Sequence, residues 1–284
     1  MLLRFLGDGP ASTRKSTYWE FLVDSAQADM RAQWSGFDAA YREGVRNLML
    51  PIYDGLADGK EWFIDKTPRY TLIAEEIIQC FPQAKFIVLW RHPLAVAASM
   101  TENRGFWFPE DYSIDLYEGF TRLDAFTQRH KESICEVKYE NLVESPEEEL
   151  ARVGYYLGWD RLERVLSEPL LDTAGGSLGD RTGIKKYNQL STGSKDSWVN
   201  EYNNWYRCRW AQNYCNETDR AAILKRHGYD LPKALSGRMT GLFSGLADCV
   251  RAANRTVRRH RKPVWLKRFC KDYRKRHGYN VAFH

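Results

Sequence analysis

An α/β fold, a parallel sheet flanked by helices, is the class this chain predicts. Short apolar runs at 62–65, 85–90 and 134–139 have the length and composition of strands. Stretches of helical periodicity separate all three, so the strands are joined by crossovers and run parallel, with both sheet faces covered. At 284 residues and 43% hydrophobic content, the chain can hold one such domain with a sizeable core and extensions.

The elements follow in order. Residues 17–31 and 37–57 read as helices; in the second, Tyr41, Val45, Leu48, Met49 and Ile52 recur at helical spacing. Trp62–Asp65 is a short strand that ends at Lys66-Thr67-Pro68. Helix 70–81 turns Leu72, Ile73, Ile77 and Ile78 to one face. Strand 85–90 runs into Arg91-His92-Pro93, and helix 93–101 begins at the proline, whose missing N–H is harmless in a first helical turn. Residues 112–132 form a helix with Leu116, Phe120, Leu123 and Phe126 inward. The third strand ends at Tyr139. Ser145-Pro146-Glu147-Glu148 reads as a capping box with proline at the first helical position, and that helix closes near Gly158. The Gly-, Ser-, Thr- and Asp-rich run 172–194 is expected to be an ordered functional loop. Helices over 196–213 and 217–227 follow, the second closed by Gly228. There is no internal repeat.

Charge is distributed unevenly. The net charge is +5, yet residues 251–277 hold twelve Lys/Arg against the single Asp272, leaving 30 basic and 36 acidic residues elsewhere. The domain boundary is accordingly expected at 232/233, with 233–284 a basic C-terminal extension. A solvated extension is the simpler reading of this tail; Val264, Trp265, Leu266 and Phe269 interrupt the charges, so peripheral contact with an anionic membrane is the alternative, and no specific nucleic-acid partner is expected. Six cysteines (Cys80, Cys135, Cys208, Cys215, Cys249, Cys270) form no C-x-x-C pair, which speaks against a zinc site; Cys80 and Cys135 read as buried thiols. No apolar stretch reaches the ~18 residues of a spanning helix. The expected location is cytoplasmic, with the tail as a peripheral membrane contact. Aromatic residues make up 14%, ten of them Trp, a composition that suits clefts for sugars or adenine as well as core packing.

Residues 85–100, KFIVLWRHPLAVAASM, concentrate the chemistry. A strand delivers Arg91 to its carboxyl end, where open α/β sheets bind ligands, and Ser99 follows eight positions later on a helix. A guanidinium, a hydroxyl and a helix N-terminus at one turn suit a phosphate. Arg91 and Ser99 in this setting resemble the 3′-phosphate-binding motif of sulfotransferases that use 3′-phosphoadenosine 5′-phosphosulfate (PAPS). Three further segments agree in order. WFIDKTPRY (Trp62–Tyr70) resembles the D/E-K-T-P-x-Y signature of the carbohydrate and tyrosylprotein branches. VKYENLVESPEEELARVGYYLG (Val137–Gly158) resembles the Y-E-x-L strand with its following helix, and GIKKYNQLSTGSKDSW (Gly183–Trp198) the loop that closes over the nucleotide.

The resemblance implies a P-loop-NTPase-like sheet, PAPS as co-substrate without a metal, and a hydroxyl of a carbohydrate or glycolipid as acceptor. It assigns Arg91, Ser99, Tyr139 and Lys185 to the nucleotide and Lys66 to catalysis on the acceptor side. Trp198 matches the loop's later tryptophan, with core packing as its simpler role. The family's P-R-S/T-G-T/S-T phosphosulfate turn has no counterpart between Met1 and Trp62, so the first strand, that loop and the glutamate base near it are expected to be missing and turnover impaired. Asp8, Asp65 and His92 are stand-ins for the base by residue type alone, and the base stays unassigned. A non-catalytic relative that binds a nucleotide or a partner is the alternative.

Overall fold

The computed structural model describes residues 17–102, 105–160, 162, 195–236 and 241–260. Among these, ten α-helices and two strands follow in order: α1 (Thr17–Gln33), α2 (Phe37–Ala57), α3 (Ala74–Cys80), β1 (Phe86–Trp90), α4 (Pro93–Glu102), α5 (Phe120–Arg129), β2 (Ile134–Lys138), α6 (Tyr139–Glu144), α7 (Pro146–Leu157), α8 (Trp205–Asn216), α9 (Thr218–Arg226) and α10 (Leu242–His260). They fall into two compact units. One contains described residues up to Ala84 together with Glu110–Arg129, and the other contains Lys85–Pro109 and described residues from His130 to Val257. No helix among the described residues is long and apolar enough to cross a membrane.

In the first unit, α2 buries Val45 and Met49, as its spacing predicts, and Leu48 is left largely exposed. The helix stops at Asp58, which takes a left-handed conformation (φ 49°) while its N–H reaches back to the Asp54 carbonyl. The strand expected at 62–65 is not formed: the segment has no regular structure and joins no ladder. Side chains hold it instead. Phe63 stacks on Tyr53 with centroids 4.8 Å apart, and the Asp65 carboxylate accepts 2.7 Å hydrogen bonds from Tyr53 and Tyr70.

A 3₁₀ turn (Pro68–Leu72) precedes α3, so the helix expected from residue 70 begins later. The single helix expected over 112–132 is also divided. A π-helical turn (Ile114–Gly119) runs into α5. Arg69 grips Asp115 through two hydrogen bonds of 3.0 and 3.1 Å, and Arg122 donates to the Leu72 carbonyl at 2.8 Å. A Cβ at Gly119 would lie 2.8 Å from the Thr71 hydroxyl, so a larger residue there would force the Thr71 side chain to shift.

The second unit is built on β1 and β2, which pair in parallel from Phe86↔Ile134 to Trp90↔Lys138. The α/β class and the parallel direction agree with the sequence, although the described sheet has two strands where three were expected. The Tyr156 hydroxyl locks the start of the ladder: it accepts from the Phe86 N–H at 2.8 Å and donates to the Ser133 carbonyl at 2.9 Å. Val153, Tyr156 and Leu157 of α7 cover Cys135 and Val137 of β2. The register partners of those two residues, Ile87 and Leu89, remain 47% and 55% exposed. The expectation of two covered faces is therefore not met throughout: on this face α7 covers β2 and leaves β1 open.

Pro146 opens α7 as expected, with Glu147, Glu148 and Glu149 in the first turn where the helix dipole favours negative charge. The capping box does not form; Ser145 makes no side-chain capping bond. Gly158 (φ 77°) and Gly228 (φ 69°) close α7 and α9 at the predicted places. The helix expected over 196–213 breaks in two. A 3₁₀ turn (Ser197–Glu201) ends before buried Asn204, whose side chain accepts from the Arg207 N–H at 3.0 Å and starts α8 afresh.

Candidate nucleotide-binding site

The carboxyl end of β1 is fixed by its last residue. Trp90 is buried, donates through Nε1 to Glu136 of β2 at 2.8 Å, and stacks on His227 with centroids 3.8 Å apart. The chain then turns through Arg91 and His92 into α4, whose proline and alanines pack against the core with almost no exposure. Small side chains let this helix lie close to its neighbours, and Tyr202 marks the contact by donating to the Leu94 carbonyl at 2.8 Å.

Arg91 meets Tyr139 here. The guanidinium carbon lies over the tyrosine ring, 4.3 Å from its centroid. The two residues follow β1 and β2 directly, so the parallel register that pairs Trp90 with Lys138 brings them side by side. The sequence places Tyr139 at the end of the strand; the ladder instead stops at Lys138, and Tyr139 opens α6. Arg91 Nε is buried and has no hydrogen-bond partner among the described residues. A desolvated, unsatisfied donor on a permanent cation is costly by itself and suited to an anion that can accept from it.

His92 is a structural residue. Its backbone N–H donates to Glu140 Oε1 at 2.9 Å. Its Nδ1 accepts from the Leu94 N–H at 3.2 Å, which leaves Nε2 to donate to the Asp230 carbonyl at 3.0 Å. Burial pushes its pKa below the ordinary value, and the ring sits between Trp198 and Tyr229. These bonds overturn one expectation about the turn. The Leu94, Ala95 and Val96 amides are all taken, the first by the His92 ring and the others by the His92 carbonyl, so side chains rather than the helix N-terminus are left to meet a phosphate.

Ser99 lies on α4, partly exposed. Lys66 belongs to the first unit, exposed, next to the Asp65 carboxylate that two tyrosines hold. Lys185, Asp8 and the whole loop expected over 172–194 lie outside the described residues. Trp198 is buried, its ring edge-on to Tyr202 at 5.8 Å, in keeping with the core role. Sequence reasoning overlooked Glu140, which holds the His92 amide and accepts from the Tyr229 hydroxyl at 3.2 Å. Its signal was present as the glutamate of the Y-E-x-L run.

Comparison with known proteins now places this arrangement. A sequence model described as Sulfotransferase family matches residues 10–163, more than half of the chain. The chain belongs to the sulfotransferase family. Nodulation protein NoeE of Sinorhizobium fredii (strain NBRC 101917 / NGR234) is 32% identical over 171 residues, covering 51% of this chain and 40% of the relative. The match thus spans less than half the length of that curated protein. Among solved structures, the sulfotransferase domain from the curacin biosynthetic pathway aligns with a TM-score of 0.50 at 21% identity, covering 64% of this chain and 68% of that one. The sulfotransferase domain from the Synechococcus PCC 7002 olefin synthase aligns with a TM-score of 0.46 at 22% identity over 81% of this chain and 76% of that one. The curacin domain supports the sulfotransferase α/β fold.

Proposed function

We propose that this sulfotransferase uses PAPS to sulfate a hydroxyl of a carbohydrate or glycolipid. The observation that carries the reading is Arg91, whose guanidinium lies over Tyr139 at the end of β1 and whose buried Nε has no hydrogen-bond partner among the described residues. Bound there, PAPS would supply an activated sulfuryl group. Arg91 would hold the 3′-phosphate with Ser99, Tyr139 would brace the guanidinium beside the adenine, and Lys185 would add a cation from the nucleotide loop. The resemblance assigns Lys66 to the acceptor side, where a cation would stabilise charge on the sulfuryl oxygens as sulfur passes from phosphate oxygen to acceptor oxygen. The acceptor proton leaves to a base that remains unassigned.

A carbohydrate acceptor is supported by the Asp65-Lys66-Thr67-Pro68-x-Tyr70 resemblance and by the partly exposed Trp62 and Phe63 in the same segment. One observation favours the non-catalytic alternative: the two described stand-ins for the base are engaged elsewhere, Asp65 by tyrosine hydroxyls and His92 through both ring nitrogens. The test is release of adenosine 3′,5′-bisphosphate from PAPS with oligosaccharide and tyrosine-peptide acceptors. Oligosaccharide-dependent release is expected. Release with peptide alone overturns the acceptor class, and nucleotide binding without release under any acceptor leaves the binding protein as the correct reading.

A further inference from the structure

We propose that α10 docks the protein on an anionic lipid surface, through an apolar face that points away from the protein body. On a helical projection Leu242, Phe243, Leu246, Val250 and Ala253 fall within an arc of about 100°. An arc of that width is what an amphipathic helix ordinarily buries. Here it is turned to solvent: Leu242 is 71% exposed, Phe243 92%, Leu246 57% and Val250 51%.

The opposite face is the one that packs. Gly245 approaches the Trp205 indole so closely that a Cβ has no room, and Ala252 is buried. Between them buried Asp248 accepts from Arg207 at 2.8 Å and from Asn204 at 3.0 Å, both on or capping α8. An ion pair and two small residues therefore fix the helix by its polar side. Exposed leucine and phenylalanine are left on the outside, where a soluble surface would carry charge.

The charge of the sequence that continues from this helix selects the partner. Arg251 on α10 is exposed, and residues 251–277 carry twelve Lys/Arg against one acidic residue. An apolar helix face that runs on in sequence into a dense stretch of positive charge matches a bilayer containing anionic headgroups. Nucleic acid would use the charge and leave the leucines and the phenylalanine without a role. This inference is independent of the nucleotide site and fails or stands separately from it.

The test is co-sedimentation of the full chain with vesicles of phosphatidylcholine alone and with about 30% phosphatidylserine. Binding to the anionic vesicles is expected, weakened by added salt. The double substitution Phe243→Asp and Leu246→Asp is expected to weaken it at least about tenfold, since both side chains lose their apolar transfer. Val250→Asp, one turn on, gives a second reading with a smaller loss, and circular dichroism verifies that each variant is folded. Equal binding by wild type and the folded variants overturns the proposal, as does indifference to vesicles. So does a wild-type dimer that these substitutions dissociate, which would make a second copy the occupant. Competition by a nucleic-acid duplex that binds all forms alike would give the tail charge to a different partner and overturn it too.

Discussion

Replacing Arg91 by methionine separates stability from binding. Methionine keeps the apolar stem and removes the guanidinium. Among the described residues the wild-type Nε is buried without a partner, a defect of about 1–3 kcal/mol. Set against it is the contact over the Tyr139 ring, about 0.5–2 kcal/mol. The two nearly cancel, so the unfolding free energy should stay within roughly 1 kcal/mol of wild type. Binding has no such compensation. A hydrogen bond from a cation to a phosphate contributes about 1.5–3 kcal/mol, so affinity for adenosine 3′,5′-bisphosphate should fall roughly ten- to a hundredfold. Urea denaturation followed by circular dichroism reads the first quantity, and titration calorimetry the second. A variant that binds as well as wild type refutes the reasoning. So does a loss of stability near 3 kcal/mol, which would make Arg91 a structural partner rather than a waiting ligand group.

Asp248→Ala should destabilise by about 3–5 kcal/mol in urea denaturation, because it leaves Arg207 and Asn204 facing a vacated buried site. Tyr156→Phe should cost about 1–2 kcal/mol in the same measurement, since the Phe86 N–H at the head of the ladder loses its acceptor. His92 predicts a pH dependence. Its folded pKa lies below the unfolded one, so as pH falls through 6.5 the unfolded chain takes up the proton first. The stability His92 contributes is therefore present above that pH and is lost progressively below it. Urea midpoints from pH 7.5 to 5.5 should decline less steeply in His92→Gln than in wild type.

The parts of the fold legible in the sequence were those with local causes. Periodic apolar residues specified α2 and α5, Pro93 and Pro146 marked the starts of α4 and α7, and Gly158 and Gly228 marked helix ends through their left-handed backbone. What misled were segments whose state depends on distant partners. Trp62–Asp65 has strand composition, yet the tyrosines at 53 and 70 hold Asp65 in place of a ladder. The break at Asn204 depends on a cap and on Asp248, 44 positions away. At the site, Arg91 could be singled out because a strand end and a cation are both local signals. Its neighbour Tyr139 follows from the parallel register alone, and the loss of the α4 amides to His92 required the imidazole orientation, which no spacing encodes. The outward face of α10 was hidden for a similar reason: periodicity finds an apolar arc but does not say which side meets the body.

The most direct measurement is the ratio of affinities for adenosine 3′,5′-bisphosphate and adenosine 5′-monophosphate, in wild type and in Arg91→Ala. Wild type should favour the bisphosphate by about tenfold or more, and the variant should bind both nearly equally. A preference that survives in the variant, or one that is missing from wild type, contradicts the assignment of Arg91 to the 3′-phosphate.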